Sequence, residues 1–193
     1  MKPWKGWMHV TGSTYGQWLR GDPRGWRSKG HREHVEGDYR CPPPAGMYST
    51  MYARSQALMK REGVWLGWEA RVLVCRVMVE ALRFHHVHVM DLCVGAVHYH
   101  VLARFVPEDE EVWDLIRREG RSQKREPRHL MGIAKKESAR ALSRTRLVEP
   151  GGVWAGGCGR RYIRNLNHFK RVVEYIPGHA EEGAAVYSLL FRR

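Results

Sequence analysis

Two histidines stand two residues apart in the stretch "AVHYHVLARF", residues 96–105. Side chains on a strand alternate between its two faces. His98 and His100 therefore share a face with Leu102 and Arg104, while Val97, Tyr99, Val101, Ala103 and Phe105 form an apolar face on the other side. The two imidazoles lie about two strand rises apart, roughly 7 Å. From there both rings can converge on one small cation. The same spacing suits two core histidines satisfied separately by their neighbours. Imidazole is neutral above about pH 6.5 and then offers a lone pair to a metal.

A second group of chemistry-bearing residues lies in "RNLNHFKRVVEYIPGHAEEGAAVY" (164–187), which begins as a helix. Phe169, Val173, Ile176 and Ala180 recur at spacings of four, three and four and predict a core stripe. His168, Val172, Tyr175 and His179 repeat that spacing one residue earlier, about 100° around the helix. Tyr175 and His179 are then neighbours one turn apart. Taken alone, Tyr175 reads first as a core residue with a wet hydroxyl and second as a catalytic residue. Pro177 removes a helix hydrogen bond, and with Gly178 beside it a kink or end is expected there, which would turn His179 out of the stripe.

The elements that must position these residues follow from pattern. "WMHVTGS" (7–13) predicts a first strand with one buried face. Residues 14–46 are rich in Gly, Pro and Arg and predict a long irregular loop, which in compact domains is usually functional or disordered. Its Tyr15, Trp18, Trp26 and Tyr39 interleave with Arg20, Arg24, Arg27 and Arg40. Such a mixture suits stacking on unpaired bases, or a loop that packs its own aromatics onto the body. Helices are predicted over 48–61 and 67–84, the second burying Val72, Cys75, Val79 and Leu82. A strand over 85–94, a turn at Gly95 and the two-histidine strand predict an antiparallel hairpin. His85, His86 and His88 read as strand-end or surface residues. Residues 107–120 and 127–144 predict two more helices, the first acidic at its start and basic at its end, in keeping with the helix dipole. "GGVWAGGC" (151–158) predicts a short strand. The order of elements suits a single α+β domain, residues 1–193, with an antiparallel sheet.

Charge is the strongest global fact. The 193 residues carry a net charge of +13, which predicts attraction to polyanions. The charge is also clustered, with 11 Lys and Arg against three Glu between Arg117 and Arg146. That local excess favours nucleic acid over a merely solvated face. Membrane-surface binding fits less well, because no amphipathic helix sets a broad apolar face beside the basic one. No stretch approaches 18 apolar residues, so no membrane span is expected. "MKPWKGWMHV" has no signal-peptide apolar run, and a cytoplasmic, nucleoid-associated protein is expected. Cys41, Cys75, Cys93 and Cys158 form no CxxC pair, so neither a local zinc site nor a disulfide framework is expected.

The set "HYH" (98–100), "YIPGH" (175–179) and "TYGQWLRGDPRGW" (14–26) after the first strand resembles the HUH endonuclease superfamily. Within it the chain is similar to the single-tyrosine transposases, including their REP-associated branch. The resemblance spans nearly the whole chain. It implies a ferredoxin-like two-layer sandwich, with helices on one face of the antiparallel sheet and a C-terminal catalytic helix. It implies cleavage and rejoining of single-stranded DNA beside hairpins, through a 5′-phosphotyrosine link and a free 3′-OH. On this resemblance His98, His100 and His179 fall on the metal ligands, Tyr175 on the nucleophile, and Mg or Mn is the implied divalent cofactor. Arg20, Arg24, Arg27, Arg128, Lys135, Lys136, Arg140 and Arg171 are the candidate DNA contacts, and two copies of the chain could pair. Two other readings stay open: a transposase-derived hairpin-binding module without cleavage, and a ferredoxin-like RNA-binding protein, a class that stacks bases on sheet aromatics.

Overall fold

The computed structural model describes residues 4–24, 26, 44–120 and 125–190. In chain order the elements are β1 (Trp7–Ser13), α1 (Ser49–Ala57), α2 (Trp68–Phe84), β2 (His88–Val94), β3 (His98–Arg104), α3 (Glu110–Arg118), α4 (Pro127–Thr145), β4 (Gly159–Tyr162), α5 (Leu166–Gly178) and β5 (Ala185–Ser188). The five strands form one sheet in the order β4-β1-β3-β2-β5, and every pairing is antiparallel.

The alternation along β3 sorts its residues as its sequence predicts. Tyr99, Val101 and Ala103, with Phe105 just beyond the strand, are buried together with Val10, Leu92 and Val94 under α2 and α4. Ala70, Val74, Met78 and Leu82 of α2, and Leu130, Met131, Ala134 and Leu142 of α4, complete this core. Val72 is exposed rather than buried. The inward face of α2 is centred on Val74 and Met78, which places Val72 beside it.

The opposite face of the sheet carries a smaller core. Trp7, Cys93, Leu102, Ile163, Val172, Ile176 and Ala184 are buried there, with Phe169 and Val173 packed against them. This layer is α5 lying on β2, β3 and β5. The two stripes predicted on this helix therefore merge into one apolar face, centred on Val172 and Ile176, while Ala180 is exposed. α5 begins at Asn165, whose side-chain oxygen accepts from the His168 backbone N–H at 2.8 Å, a standard N-cap. Pro177 sits in the last turn. Its missing N–H leaves the carbonyl of Val173, one turn back, without that donor, and the helix ends one residue later.

One expectation about the strands changes, and one strand is added. The strand expected over 151–158 is absent; that segment makes only an isolated bridge between Trp154 and Thr14. Gly151 and Gly157 take positive φ of 128° and 74°, which interrupts extended pairing. The edge strand forms one step later, at Gly159–Tyr162 along β1. The helix ends at Gly178, where Pro177 and Gly178 allow an end, and a tight turn leads into β5, a strand that the sequence pattern does not predict. No helix among the described residues is long and apolar enough to cross a membrane.

Candidate metal centre and nucleophile

β3 presents His98 and His100 on the α5 side of the sheet. Their ring centroids are 5.0 Å apart. The end of α5 brings His179 to them, with ring centroids 5.5 Å from His98 and 4.9 Å from His100. One nitrogen from each of the three rings lies within 4.8 Å of the others. A cation with ligands at roughly 2.1 Å holds its donors about 3.0–3.4 Å apart, so small ring rotations close the set. His179 stays in the site despite Pro177. It is the helix C-cap, and its carbonyl accepts from the N–H groups of Glu182 and Ala184 at 3.1 and 3.0 Å. This turn fixes where the ring points.

The donors fit a divalent cation. His179 Nε2 is buried and has no hydrogen-bond partner, while its Nδ1 leans toward Glu182 at 3.8 Å. Burial, and then the nearby His9, His98 and His179, push the His100 pKa down to about 2. Burial and then His179 lower that of His98 too. Both rings are neutral at pH 7, with lone pairs to give. Three imidazoles on one side of a cation leave further positions open, the arrangement of catalytic rather than structural sites.

Tyr175 stands beside this cluster in the same chain. Its ring centroid is 4.5 Å from His179 and 5.2 Å from His100, with both rings edge-on to it. The residue is 48% exposed, so a bulky substrate can approach its ring.

His9 was not among the residues singled out from sequence. It lies on β1, where it pairs in register with Leu102, and its Nε2 is 3.0 Å from His100 Nδ1. That contact occupies Nδ1 of His100 and leaves Nε2 for a ligand. Burial, followed by Arg161, His168 and His179, lowers the His9 pKa to about 4. His9 is therefore neutral and can accept from His100 Nδ1–H when His100 offers Nε2 to a ligand. Ligating imidazoles ordinarily have such a partner. The only sequence signal was the alternation His9, Thr11, Ser13 on one face of the strand, which says nothing until β1 is paired with β3.

The candidate DNA contacts are dispersed. Arg171 is exposed on α5, one turn before Tyr175. Arg128, Lys136 and Arg140 are exposed on α4, across the sheet from the histidines, and Arg140 pairs with Glu137 at 2.7 Å. The Lys135 ammonium donates to the carbonyls of Ala155 and Gly157 and so ties α4 to that loop. Arg24 makes a two-pronged pair with buried Asp22 and lies over Trp18 at 4.9 Å. Arg20 lies over Trp26 at 5.6 Å. In its described part the 14–46 loop thus packs its aromatics and arginines on one another. Arg27, Tyr39 and Arg40 lie outside the described residues.

No family model matches the chain, and no curated protein is significantly similar to it. Among solved structures it is similar to "Structure of the REP associates tyrosine transposase bound to a REP hairpin", with 11% identity and a TM-score of 0.46 over 92% of this chain and 68% of that one. The functional reading therefore stands on the site geometry.

Proposed function

We propose that the protein is a metal-dependent enzyme that cuts and rejoins single-stranded DNA next to hairpins through a covalent tyrosine intermediate. The observation that carries this reading is the Tyr175 ring, 4.5 Å from His179 and 5.2 Å from His100 in one chain. With the short α1 and α3 set aside, the βαββαβ order of β1 to β4 and their β4-β1-β3-β2 arrangement support a ferredoxin-like core of the kind the sequence motifs imply.

His98, His100 and His179 would hold the cation, with His9 fixing the ring of His100. A bound divalent cation polarises the phosphoryl oxygens and offsets the charge that builds on them. Imidazole donors would accept Mn readily, and Mg where its supply is high. The Tyr175 oxygen attacks phosphorus, its proton passing to the solvent that reaches the half-exposed ring. The new O–P bond forms as the P–O3′ bond breaks, and the 3′ oxygen takes up a proton. The products are a 5′-phosphotyrosine and a free 3′-OH. Only about a thousandth of free tyrosine is phenolate at pH 7, a cost of about 4 kcal/mol. Positive charge beside the oxygen lowers that cost, and Arg171 one turn away adds to it.

The test is incubation with a labelled hairpin-bearing single strand and Mn or Mg, followed by a denaturing gel. A denaturant-resistant adduct with wild type and none with Tyr175→Phe supports the enzyme. Tight binding without any adduct would leave a hairpin-binding module instead.

A further inference from the structure

A second feature lies along the β4 edge of the sheet and the start of α5, outside the metal centre. Arg160, Arg161, Arg164 and Arg171 line one cleft of about 720 Å³, together with Tyr162 and His168. The first three residues of this set come from the edge strand β4 and its exit, and the last from α5. All four arginines are exposed, and among the described residues none forms an ion pair with a carboxylate. Arg117, Arg140, Arg104 and Arg24, by contrast, all have acidic partners. Burial and then Arg171, Arg164 and Arg161 depress the His168 pKa, a sign of concentrated positive field. Tyr162 is 69% exposed at the rim of this cleft; it pairs in register with Met8, so its ring lies over the sheet edge from Arg161, within reach of a strand that curls around that edge.

Charges on an edge strand can serve only to keep other chains from pairing with it. That purpose does not call for guanidiniums from a second element, nor for an uncovered aromatic at their rim. Planar guanidiniums suit phosphate oxygens, and an exposed ring suits the face of an unpaired base. The N-terminus of α5, capped by Asn165 in the same cleft, adds the positive end of a helix dipole.

We propose that this cleft is the seat of the unpaired DNA strand, holding two or three consecutive phosphates against Arg161, Arg164 and Arg171 while a base stacks on Tyr162. The inference rests on the reading of the protein as a single-strand DNA enzyme and adds where the strand runs. His9 pairs in register with Arg161, and its ring is 6.1 Å from that of Tyr175. Arg171 precedes Tyr175 by one helical turn. A strand seated in the cleft therefore leads directly to the nucleophile. The basic face of α4, across the sheet, is left for another part of the substrate.

The experiment is fluorescence anisotropy with a labelled, unstructured 12-nucleotide DNA in EDTA, over a series of salt concentrations, so that no cleavage contributes. Arg161→Ala/Arg164→Ala weakens binding at least tenfold and makes the log–log salt slope shallower by about 1.4, at roughly 0.7 per lost phosphate contact. Tyr162→Ala weakens binding about fivefold or more with the slope unchanged. Arg76→Ala/Arg83→Ala, at exposed positions of α2, leaves this short strand bound as in wild type. Unchanged affinity and slope in the Arg161/Arg164 variant overturns the proposal, as does an equal loss for a blunt duplex of the same length. Thermal melts confirm that these surface variants fold. Adduct formation is scored separately on the hairpin substrate. Wild type that binds the short strand through the cleft but forms no adduct refutes the enzyme while the cleft stands; an adduct with a dispensable cleft does the reverse.

Discussion

Replacing His9 with phenylalanine isolates what its ring nitrogen does for His100. Phenylalanine keeps the ring contacts, at 5.2 Å to His100 and 6.1 Å to Tyr175, and removes only the 3.0 Å hydrogen bond. When His100 gives Nε2 to a cation, its proton must sit on Nδ1, and His9 is the acceptor. Without the cation the proton can move to Nε2, so the loss falls mainly on the loaded state. A buried donor left without its acceptor costs about 1–3 kcal/mol. At about 1.4 kcal/mol per factor of ten, affinity should fall roughly 5- to 150-fold. Substitutions behind metal ligands typically cost about 10- to 100-fold, in agreement. Titration calorimetry with Mn on wild type and His9→Phe reads this directly, with melting temperature in chelator as the control. His9→Gln, whose amide oxygen can accept, should recover part of the loss. Wild-type Mn affinity in His9→Phe would refute the argument. So would an affinity loss matched by an equal loss of fold stability in chelator, which would mean that His9 merely packs.

Three further changes test the fold's less ordinary contacts. Asp91 is fully buried on β2, opposite Ser188; burial raises its pKa, and hydrogen bonding to the Ser188 hydroxyl pulls the other way. The native state then binds this proton more tightly than the unfolded chain, so stability is full below the unfolded value of about 3.9 and falls as pH rises through the raised native value. Asp91→Asn should melt higher than wild type at pH 8, with the gap shrinking toward pH 4, and an equal gap at both refutes the reasoning. Lys135→Met should lose about 1–3 kcal/mol of stability in urea titration and leave the salt slope of DNA binding unchanged; a shallower slope at unchanged stability would make Lys135 a phosphate contact instead. A methyl group at Gly12 would meet the ring of fully buried Tyr99 at 2.5 Å, so Gly12→Ala should cost about 1–3 kcal/mol, and a neutral outcome would show that the ring yields.

The sequence carried the parts of this structure that rest on local pattern. β1, the β2–β3 hairpin, α2, α4 and α5 announce themselves through period, and the faces of β3 follow from alternation alone. β4 and β5 do not, for a physical reason. Each has four residues, and β4 is exposed along its length, so no apolar face exists to reveal it. The nearness of His98 to His100 was legible because they share a strand face, and that of Tyr175 to His179 because they share a helix turn; that the two pairs meet came from the family resemblance and not from spacing. His9 and the arginine cleft depend on which strands pair across long separations, β1 with β3 and with β4. Register of that kind is set by the assembled sheet, not by any stretch of chain.

α5 leaves β4 at one edge of the sheet and hands the chain to β5 at the other. Four strand spacings separate those edges, about 19 Å, and 13 residues of helix span about 20 Å. The helix that carries Tyr175 is thus moored at both ends, directly over the rings that face it. Lending that phenol to a second molecule would mean unzipping a border strand. Under the proposed function each molecule would therefore make its own cut, and an exchange between two broken ends would call for two intact molecules side by side rather than for traded helices.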